Sequence, residues 1–284
     1  MKKLILMLLS SILILNCNNS EELPNSTQKI ITIGGCVTET VFKLDQGQNV
    51  IAVDLSSTIP SLVKDLPQVG YIRAISSEGI LSLMPDKIIT TSDIGPPQVI
   101  EQLKNSGVEL HILDSPKSSE DIINLIKNIA NILKVENKGI EVVNEVGLLN
   151  KKITALNSSF KSSPNIAFFM NPSKNSYTAA GKNTRADYLI NYLGGNNIFK
   201  NDFVKYNKVT VENIIKENPD IILCASLQNK KASELFNNNN NFSSVNAVKN
   251  KLVFDIDMGE LLSFGPSFYS NVLELIEQIN YNEK

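Results

Sequence analysis

Few residues of this 284-residue chain are of types and at spacings that could support ligand chemistry. Residues 70–85 read GYIRAISSEGILSLMP and place Tyr71 and Arg73 just before Ser-Ser-Glu, a pattern typical of a helix start. A phenol and a guanidinium at such a place could contact a bound molecule. From the residues alone, a buried or cleft-lining tyrosine and a solvated arginine are the ordinary interpretation.

The sequence patterns of common enzymes are absent. The chain has no Gly-x-Ser-x-Gly, no phosphate-binding P-loop and no Gly-x-Gly-x-x-Gly. Its single histidine, His111, lies in the strand-like run VELHILD without an evident nucleophile or acid partner. These observations favour a protein that is not an enzyme, and they favour a structural role for His111.

One pattern occurs twice. SSEGILSLMPDKIIT (76–90) and TVENIIKENPDIILC (210–224) both run from a hydroxyl residue through Glu, a short apolar helix and Pro-Asp to an apolar strand. Glu78 and Glu212 therefore occupy equivalent positions in the first turn of a helix. A carboxylate there is stabilised by free backbone N–H groups. Alternatively, the pair docks a partner that has two matching basic pockets.

The N-terminus predicts export. Lys2 and Lys3 precede an apolar run that is too short for an ordinary membrane span, and Cys17 follows it. This arrangement resembles the bacterial lipobox, in which cleavage leaves a diacylated cysteine that anchors the protein outside the cytoplasmic membrane. An ordinary cleaved signal with an incidental cysteine is the alternative. Residues 17–28 are polar and are predicted to form a tether.

Composition limits the possible partners. Without Lys2 and Lys3, 25 basic residues face 29 acidic ones, so there is no basic footprint for nucleic acid. Hydrophobic residues make up 42% of the chain, as expected for a globular protein. Cys36 and Cys224 lie in separate halves and are interpreted as two buried apolar side chains rather than a disulfide.

Apolar runs alternate with amphipathic stretches along the chain, which predicts parallel βαβ units. A stretch from Glu136 to Phe160 with apolar residues at spacings of three and four predicts one long helix. The fold class is therefore α/β, with two lobes joined by a single long helix. The predicted segments are 1–16 (signal peptide), 17–28 (tether), 29–135 (first lobe), 136–160 (connecting helix) and 161–284 (second lobe).

This organisation resembles the periplasmic-binding proteins of ATP-binding-cassette (ABC) importers for metal chelates. The resemblance covers nearly the whole mature chain and includes GGCVTETVFKL, TAAGKNTRADYLINYLGGNNIF and LLSFGP, besides the repeated Pro-Asp helices. The segment GYIRAISSEGILSL and the GPP and FGP segments are similar to the haem-binding branch of that class. The resemblance implies two Rossmann-like lobes with a ligand cleft between them. It also implies a monomeric, lipid-anchored protein on the periplasmic side of a bacterial membrane, which carries haem to an ABC permease.

The resemblance also implies roles for particular residues. Tyr71 matches the tyrosine that binds haem iron, since phenolate is a hard ligand suited to ferric iron, and Arg73 would support it or pair with a propionate. Some relatives add a histidine where Pro172 stands here, which leaves Met170, Tyr177 or water for the sixth position. Glu78 and Glu212 would dock arginines of the permease.

Other functions remain open at this point. The same scaffold could bind a ferric siderophore or cobalamin instead of haem. A lipid-anchored adhesion or scaffolding protein could reuse the fold, and it would be indifferent to Tyr71. An enzyme is the remaining class, and the absence of catalytic motifs weighs against it.

Overall fold

A computed structural model of the protein describes residues 28–157, 163–226 and 231–282. The predicted signal peptide, Cys17 and the tether up to residue 27 lie outside the described residues, as do residues 158–160 of the predicted connecting helix. Among the helices of these described ranges, none combines the length and the apolar character needed to cross a membrane.

The first lobe is built on a four-stranded parallel sheet in the order β2-β1-β5-β6. Its apolar runs form the strands because β-branched residues that are buried on both faces suit a parallel sheet. A separate hairpin of two short strands, absent from our prediction, stands beside it. The elements are β1 (Ile30–Ile33), α1 (Gly35–Lys43), β2 (Val50–Val53), β3 (Gly70–Tyr71), β4 (Ala74–Ile75), α2 (Ser77–Leu81), β5 (Lys87–Thr91), α3 (Pro97–Asn105), β6 (Glu109–Leu113) and α4 (Ser119–Ile132).

A 22-residue helix, α5 (Glu136–Asn157), follows the first lobe. Val142, Val146 and Ile153 are buried along it, while Ile140 is 60% exposed, so the apolar stripe is narrower than the sequence spacing predicted. The helix packs against α4 and against the C-terminal helix of the second lobe. One apolar core cluster runs through both lobes and this helix, and each lobe has a further cluster of its own.

The second-lobe sheet has three parallel strands and a short fourth one, and it is extended by two strands with antiparallel pairing that the sequence did not predict. The sheet order is β10-β8-β7-β11-β12, and the two-residue strand β9 pairs with β7. The elements are β7 (Asn165–Ser173), β8 (Ser176–Ala180), α6 (Arg185–Tyr192), β9 (Asn196–Asn197), β10 (Tyr206–Val209), α7 (Val211–Glu217), β11 (Ile221–Ser226), α8 (Glu234–Asn237), α9 (Asn246–Lys249), β12 (Val253–Asp257), α10 (Met258–Leu262) and α11 (Phe268–Asn282).

The repeated Pro-Asp motif has the same structural task in both lobes. Asp86 and Asp220 each accept the backbone N–H of the residue that leads into the neighbouring strand, at 2.8 Å from Lys29 and 3.0 Å from Asn165. The backbone N–H of each aspartate returns a bond to the carbonyl of the same residue, at 2.9 and 2.8 Å. Each motif therefore holds the start of the strand beside it.

The turns before the two motifs also match. Met84 and Asn218, each directly before the proline, both adopt a left-handed backbone, with φ of 50° and 44°. This conformation is uncommon for residues other than glycine, so its recurrence supports a true internal duplication.

Candidate functional site

Tyr71 and Arg73 lie on a β-hairpin rather than simply upstream of a helix. Tyr71 pairs with Ala74 across a two-residue turn that contains Ile72 and Arg73. Ile72 is buried and anchors the hairpin, and its carbonyl accepts the N–H of Gly95 at 2.9 Å. Tyr71 remains 48% exposed, and Arg73 is exposed as well. The hairpin thus presents a phenol and a guanidinium to the space between the lobes.

That space is a cleft cavity of about 380 Å³, a volume within the usual range for small-molecule sites. Both lobes contribute to it. The first lobe supplies glycines and polar side chains, with Leu55, Tyr71 and Ile72 as apolar surface, and the second lobe supplies Met258 and Leu262. The cavity therefore combines apolar surface from both lobes with hydroxyl and charged side chains.

The floor of the cavity is the start of α1, where side chains would obstruct the space. Gly34 has φ +108° and donates its N–H to Asp54 Oδ1 at 2.8 Å. A Cβ on Gly35 would lie 2.9 Å from the carbonyl oxygen of Ser56, which is closer than packing allows. Thr38 lies inside this helix, and its hydroxyl contacts those of Thr32 and Ser57.

A charged cluster closes one side of the cavity, and sequence reasoning missed most of it. Asp93 follows β5 and contacts Arg73 Nη2 at 3.8 Å and Arg185 Nη2 at 3.3 Å. Arg185 is the first residue of α6 in the second lobe, and it also donates to the Leu262 carbonyl at 3.0 Å. The signal in the sequence was weak, because Arg185 is an isolated arginine after a Thr N-cap and Asp93 lies in a loop.

Two of the predicted ligand-binding residues lie elsewhere. Tyr177 is buried among Phe169, Phe236 and Phe242, and its hydroxyl is hydrogen-bonded by the Asn239 side chain. Burial raises the pKa of the Tyr177 hydroxyl. The cavity wall does not include this residue. We therefore correct its assignment: Tyr177 is a core residue of the second lobe.

Met170 and His111 also lie outside the cavity wall. Met170 is half-buried against the core that runs through both lobes. His111 Nε2 lies 2.6 Å from Glu109 Oε1, which also contacts Lys87 Nζ at 2.7 Å. Hydrogen bonds from Lys87 and then His111 lower the pKa of the Glu109 carboxyl. His111 thus belongs to an ion-pair cluster on the edge of the first sheet.

Glu78 and Glu212 occupy matching positions outside the cavity. Each is exposed and is the second residue of its helix, after Ser76 or Thr210 as the N-cap. The Thr210 hydroxyl accepts the Asn213 N–H at 3.2 Å, and Ser76 accepts that of Gly79 at 3.4 Å. The Glu212 backbone N–H and then the Thr210 side chain lower the pKa of the Glu212 carboxyl.

Both cysteines in the described residues are free and buried, as predicted. Burial raises the pKa of the Cys36 thiol, which lies at the cavity floor, to about 12. The thiol is therefore protonated at neutral pH. Across the part of the chain that the structure describes, no group of three or more His, Cys, Asp and Glu side chains is placed to hold a metal ion.

The sequence is similar to those of known proteins. Residues 30–258 match the family described as periplasmic binding protein. The chain is 27% identical over 69% of its length to a vitamin B12-binding protein from Vibrio parahaemolyticus, of which 70% is covered. It is 26% identical over 92% of its length to an uncharacterised ABC transporter substrate-binding lipoprotein from Bacillus subtilis, of which 83% is covered.

Among solved structures, the apo form of the periplasmic haem-binding protein RhuT from Roseiflexus sp. RS-1 is similar throughout. It superposes with a TM-score of 0.82 at 26% identity, covering 90% of this chain and 99% of that one. The two-lobed α/β architecture described above is thus shared with a haem-binding protein, while the similar sequences include a protein named for vitamin B12.

Proposed function

Because this chain belongs to the periplasmic binding protein family, we propose that it captures haem in the cleft and delivers it to an ABC permease. The protein is a substrate-binding protein of the ABC-importer type and not an enzyme.

The observation that carries the haem proposal is the position of Tyr71. Its ring is half-exposed at the cleft, on a hairpin that Ile72 anchors in the core of the first lobe. A phenolate binds ferric iron well and holds haem in other proteins. Cys36 also lines the cavity, but it is only 5% exposed, whereas Tyr71 is 48% exposed and its hydroxyl is accessible to a bound iron. Tyr71 is therefore the proposed axial ligand.

The surroundings of Tyr71 suit the rest of a haem molecule. Leu55 and Leu262 offer apolar surface from opposite lobes for the porphyrin plane, since apolar walls with few polar groups are typical of such sites. Arg73 and Arg185 carry planar guanidinium groups that pair with carboxylates through two parallel hydrogen bonds. We assign them to the propionates. Arg73 can also stabilise the Tyr71 phenolate.

The sixth position on the iron is assigned to water. The histidine that some relatives use corresponds to Pro172 in this chain, and neither Met170 nor Tyr177 lines the cavity. Met258 does line it, but its thioether is a soft ligand that matches ferric iron less well than oxygen does.

A second candidate ligand class is supported by one finding. The relative from Vibrio parahaemolyticus is named a vitamin B12-binding protein, and its similarity to this chain extends over 69% of the chain. Cobalamin, or a ferric siderophore, would fill the same cavity without using Tyr71 as an iron ligand. The two candidates therefore make different predictions for a Tyr71 variant.

The proposal extends to location and partner. We infer that Cys17 is lipidated after signal cleavage, so that the protein is held on the periplasmic side of the membrane, monomeric and within reach of the permease. Exposed carboxylates at Glu78 and Glu212, one on each lobe, would contact two arginines of the permease. Opening of the lobes by the permease would then release the ligand.

Competition binding tests the ligand assignment. The mature chain is equilibrated with ferric haem, cyanocobalamin and a ferric hydroxamate siderophore, first singly and then in pairs. We expect saturable haem binding that the other two do not displace. Tyr71→Phe should weaken haem binding about 100-fold, as for loss of an iron ligand, and Tyr177→Phe is the matched control outside the cavity. Tight cobalamin binding that is indifferent to Tyr71→Phe would overturn the haem assignment.

A further inference from the structure

The two arginines of the cavity come from different lobes and meet at one carboxylate. Arg73 lies on the hairpin of the first lobe, and Arg185 begins α6 in the second. Asp93 Oδ1 lies 3.8 Å from Arg73 Nη2, and Asp93 Oδ2 lies 3.3 Å from Arg185 Nη2. Each oxygen of this carboxylate thus contacts a different guanidinium, and the contact with Arg185 crosses the cleft.

Arg185 is held by more than Asp93. Its Nη2 donates to Ser115 Oγ at 2.7 Å, and its Nη1 donates to the Leu262 carbonyl at 3.0 Å. The guanidinium carbon also lies 5.5 Å from the centre of the Phe264 ring. Removing the Asp93 charge would therefore leave Arg185 in place. Its position is already set for an anion that reaches the cleft.

The contacts of Asp93 are of a kind that a competing anion can replace. The side chains of Asp93 and Arg73 are 33% and 67% exposed, so water and salt screen their attraction. Ser115 Oγ donates to Asp93 Oδ2 at 2.5 Å, which leaves the carboxylate a hydrogen-bond partner when another anion takes its place at Arg185. Asp93 can thus release either arginine without being left unpaired.

The side chains that line the cavity carry a net positive charge. Among the described residues that line it, the charged side chains are Arg73, Arg185 and Asp93. Asp93 therefore neutralises one of two positive charges. A ligand with two carboxylates would face two arginines that both already contact Asp93.

We propose that Asp93 occupies the carboxylate site between the lobes in the empty protein and is displaced by a carboxylate of the ligand. This inference rests on the proposed function in so far as the ligand is anionic. Asp93 would be a specificity-determining residue: it weakens the binding of every anion by one competing charge, and it ties the lobes together until a ligand with matching carboxylates replaces it.

The test compares ligands that differ only in charge. Ferric haem and its dimethyl ester, which lacks both carboxylates, are titrated into the wild-type mature chain, Asp93→Asn and Asp114→Asn. Asp114 is an exposed carboxylate in the loop after β6, so its variant is the matched control for net charge. Thermal unfolding of each variant establishes that it is folded before titration.

We expect Asp93→Asn to bind haem about tenfold more tightly, because one unit charge a few ångströms from the ligand carboxylates is removed in a partly screened site. The dimethyl ester should bind both proteins within about twofold, and Asp114→Asn should behave as wild type. Replacing Arg185 by Gln in the Asp93→Asn background should abolish the gain. Weaker haem binding by Asp93→Asn, or an equal change for haem and ester, would overturn the proposal.

If no variant binds either porphyrin, the haem proposal is wrong. A second measurement then tests the role of Asp93 by itself. Succinate carries two carboxylates and needs no tyrosine ligand. Succinate should raise the unfolding temperature of Asp93→Asn more than that of wild type. Adding Arg185→Gln to Asp93→Asn should remove this stabilisation by succinate. Equal stabilisation of Asp93→Asn and wild type by succinate would show that Asp93 does not occupy an anion site.

Discussion

Glu39 is a buried carboxyl whose protonation should control stability near neutral pH. It lies on α1 in the first lobe, and its Oε1 accepts the backbone N–H of Ser267, just before α11. Its Oε2 is buried without a hydrogen-bond partner and lies against Gly265. Burial raises the pKa of this carboxyl to about 7, and repulsion from Glu260 adds a smaller increase. The hydrogen bonds from Ser267 and the attraction of Lys43 lower the pKa, but by less than burial raises it.

The size of the effect follows from the two pKa values. The folded state holds this proton up to about pH 7, whereas an exposed glutamate loses it near 4.5. Between these values the folded state binds more protons than the unfolded state, so the free energy of unfolding falls as pH rises. The contribution of Glu39 to the free energy of unfolding is fully present below about pH 4.5 and is lost as the pH rises from there through about 7. At 1.36 kcal/mol per pKa unit, the loss is about 3 kcal/mol.

Glu39→Gln should remove this dependence, because the amide keeps an oxygen for the Ser267 N–H and carries no charge. Urea unfolding of wild type and Glu39→Gln between pH 4.5 and 8 measures the difference. We expect the free energy of unfolding of Glu39→Gln, relative to that of wild type, to increase by about 3 kcal/mol from pH 4.5 to pH 8. Glu78→Gln, which changes an exposed carboxylate, should keep the slope of wild type. Parallel pH profiles for wild type and Glu39→Gln would refute the argument.

Two further predictions concern the repeated motif. Asp220→Ala removes acceptors for the Asn165 N–H and the Asn246 side chain, so urea unfolding should show a loss of about 1–3 kcal/mol; an unchanged midpoint would mean that the strand start is held by other contacts. Glu78→Gln and Glu212→Gln, singly and together, should lower haem uptake by cells that carry the permease, because each removes one docking charge. Their haem affinity should equal that of wild type, and a matching drop in affinity would contradict a docking role.

The fold was largely predictable because its signals are local. Buried runs such as IITI and IILCAS, and the Pro-Asp repeat, led directly to the parallel strands and the duplicated helix starts. The antiparallel strands β8 and β10 were not predicted. Their residues are mixed in polarity, and their pairing depends on contacts across the second lobe that no local pattern encodes.

The site was predictable only in part. Tyr71 and Arg73 were found because they belong to one short stretch, and both line the cavity. Asp93 and Arg185 are 92 residues apart and meet only after the lobes pack, so neither stood out. Tyr177 was placed at the ligand wrongly, since an alternating strand gives no indication of which face meets the cleft and which meets an aromatic core.

The most direct test of the account is the absorption spectrum of the ferric haem complex. Wild type should show the charge-transfer band of a phenolate bound to iron, and Tyr177→Phe should show the same band because that hydroxyl lies outside the cavity. Tyr71→Phe should lose the band and resemble haem bound through water or not bound at all. If Tyr71→Phe retained the phenolate band, or wild type never showed it, Tyr71 would not be the iron ligand and the central claim would be wrong.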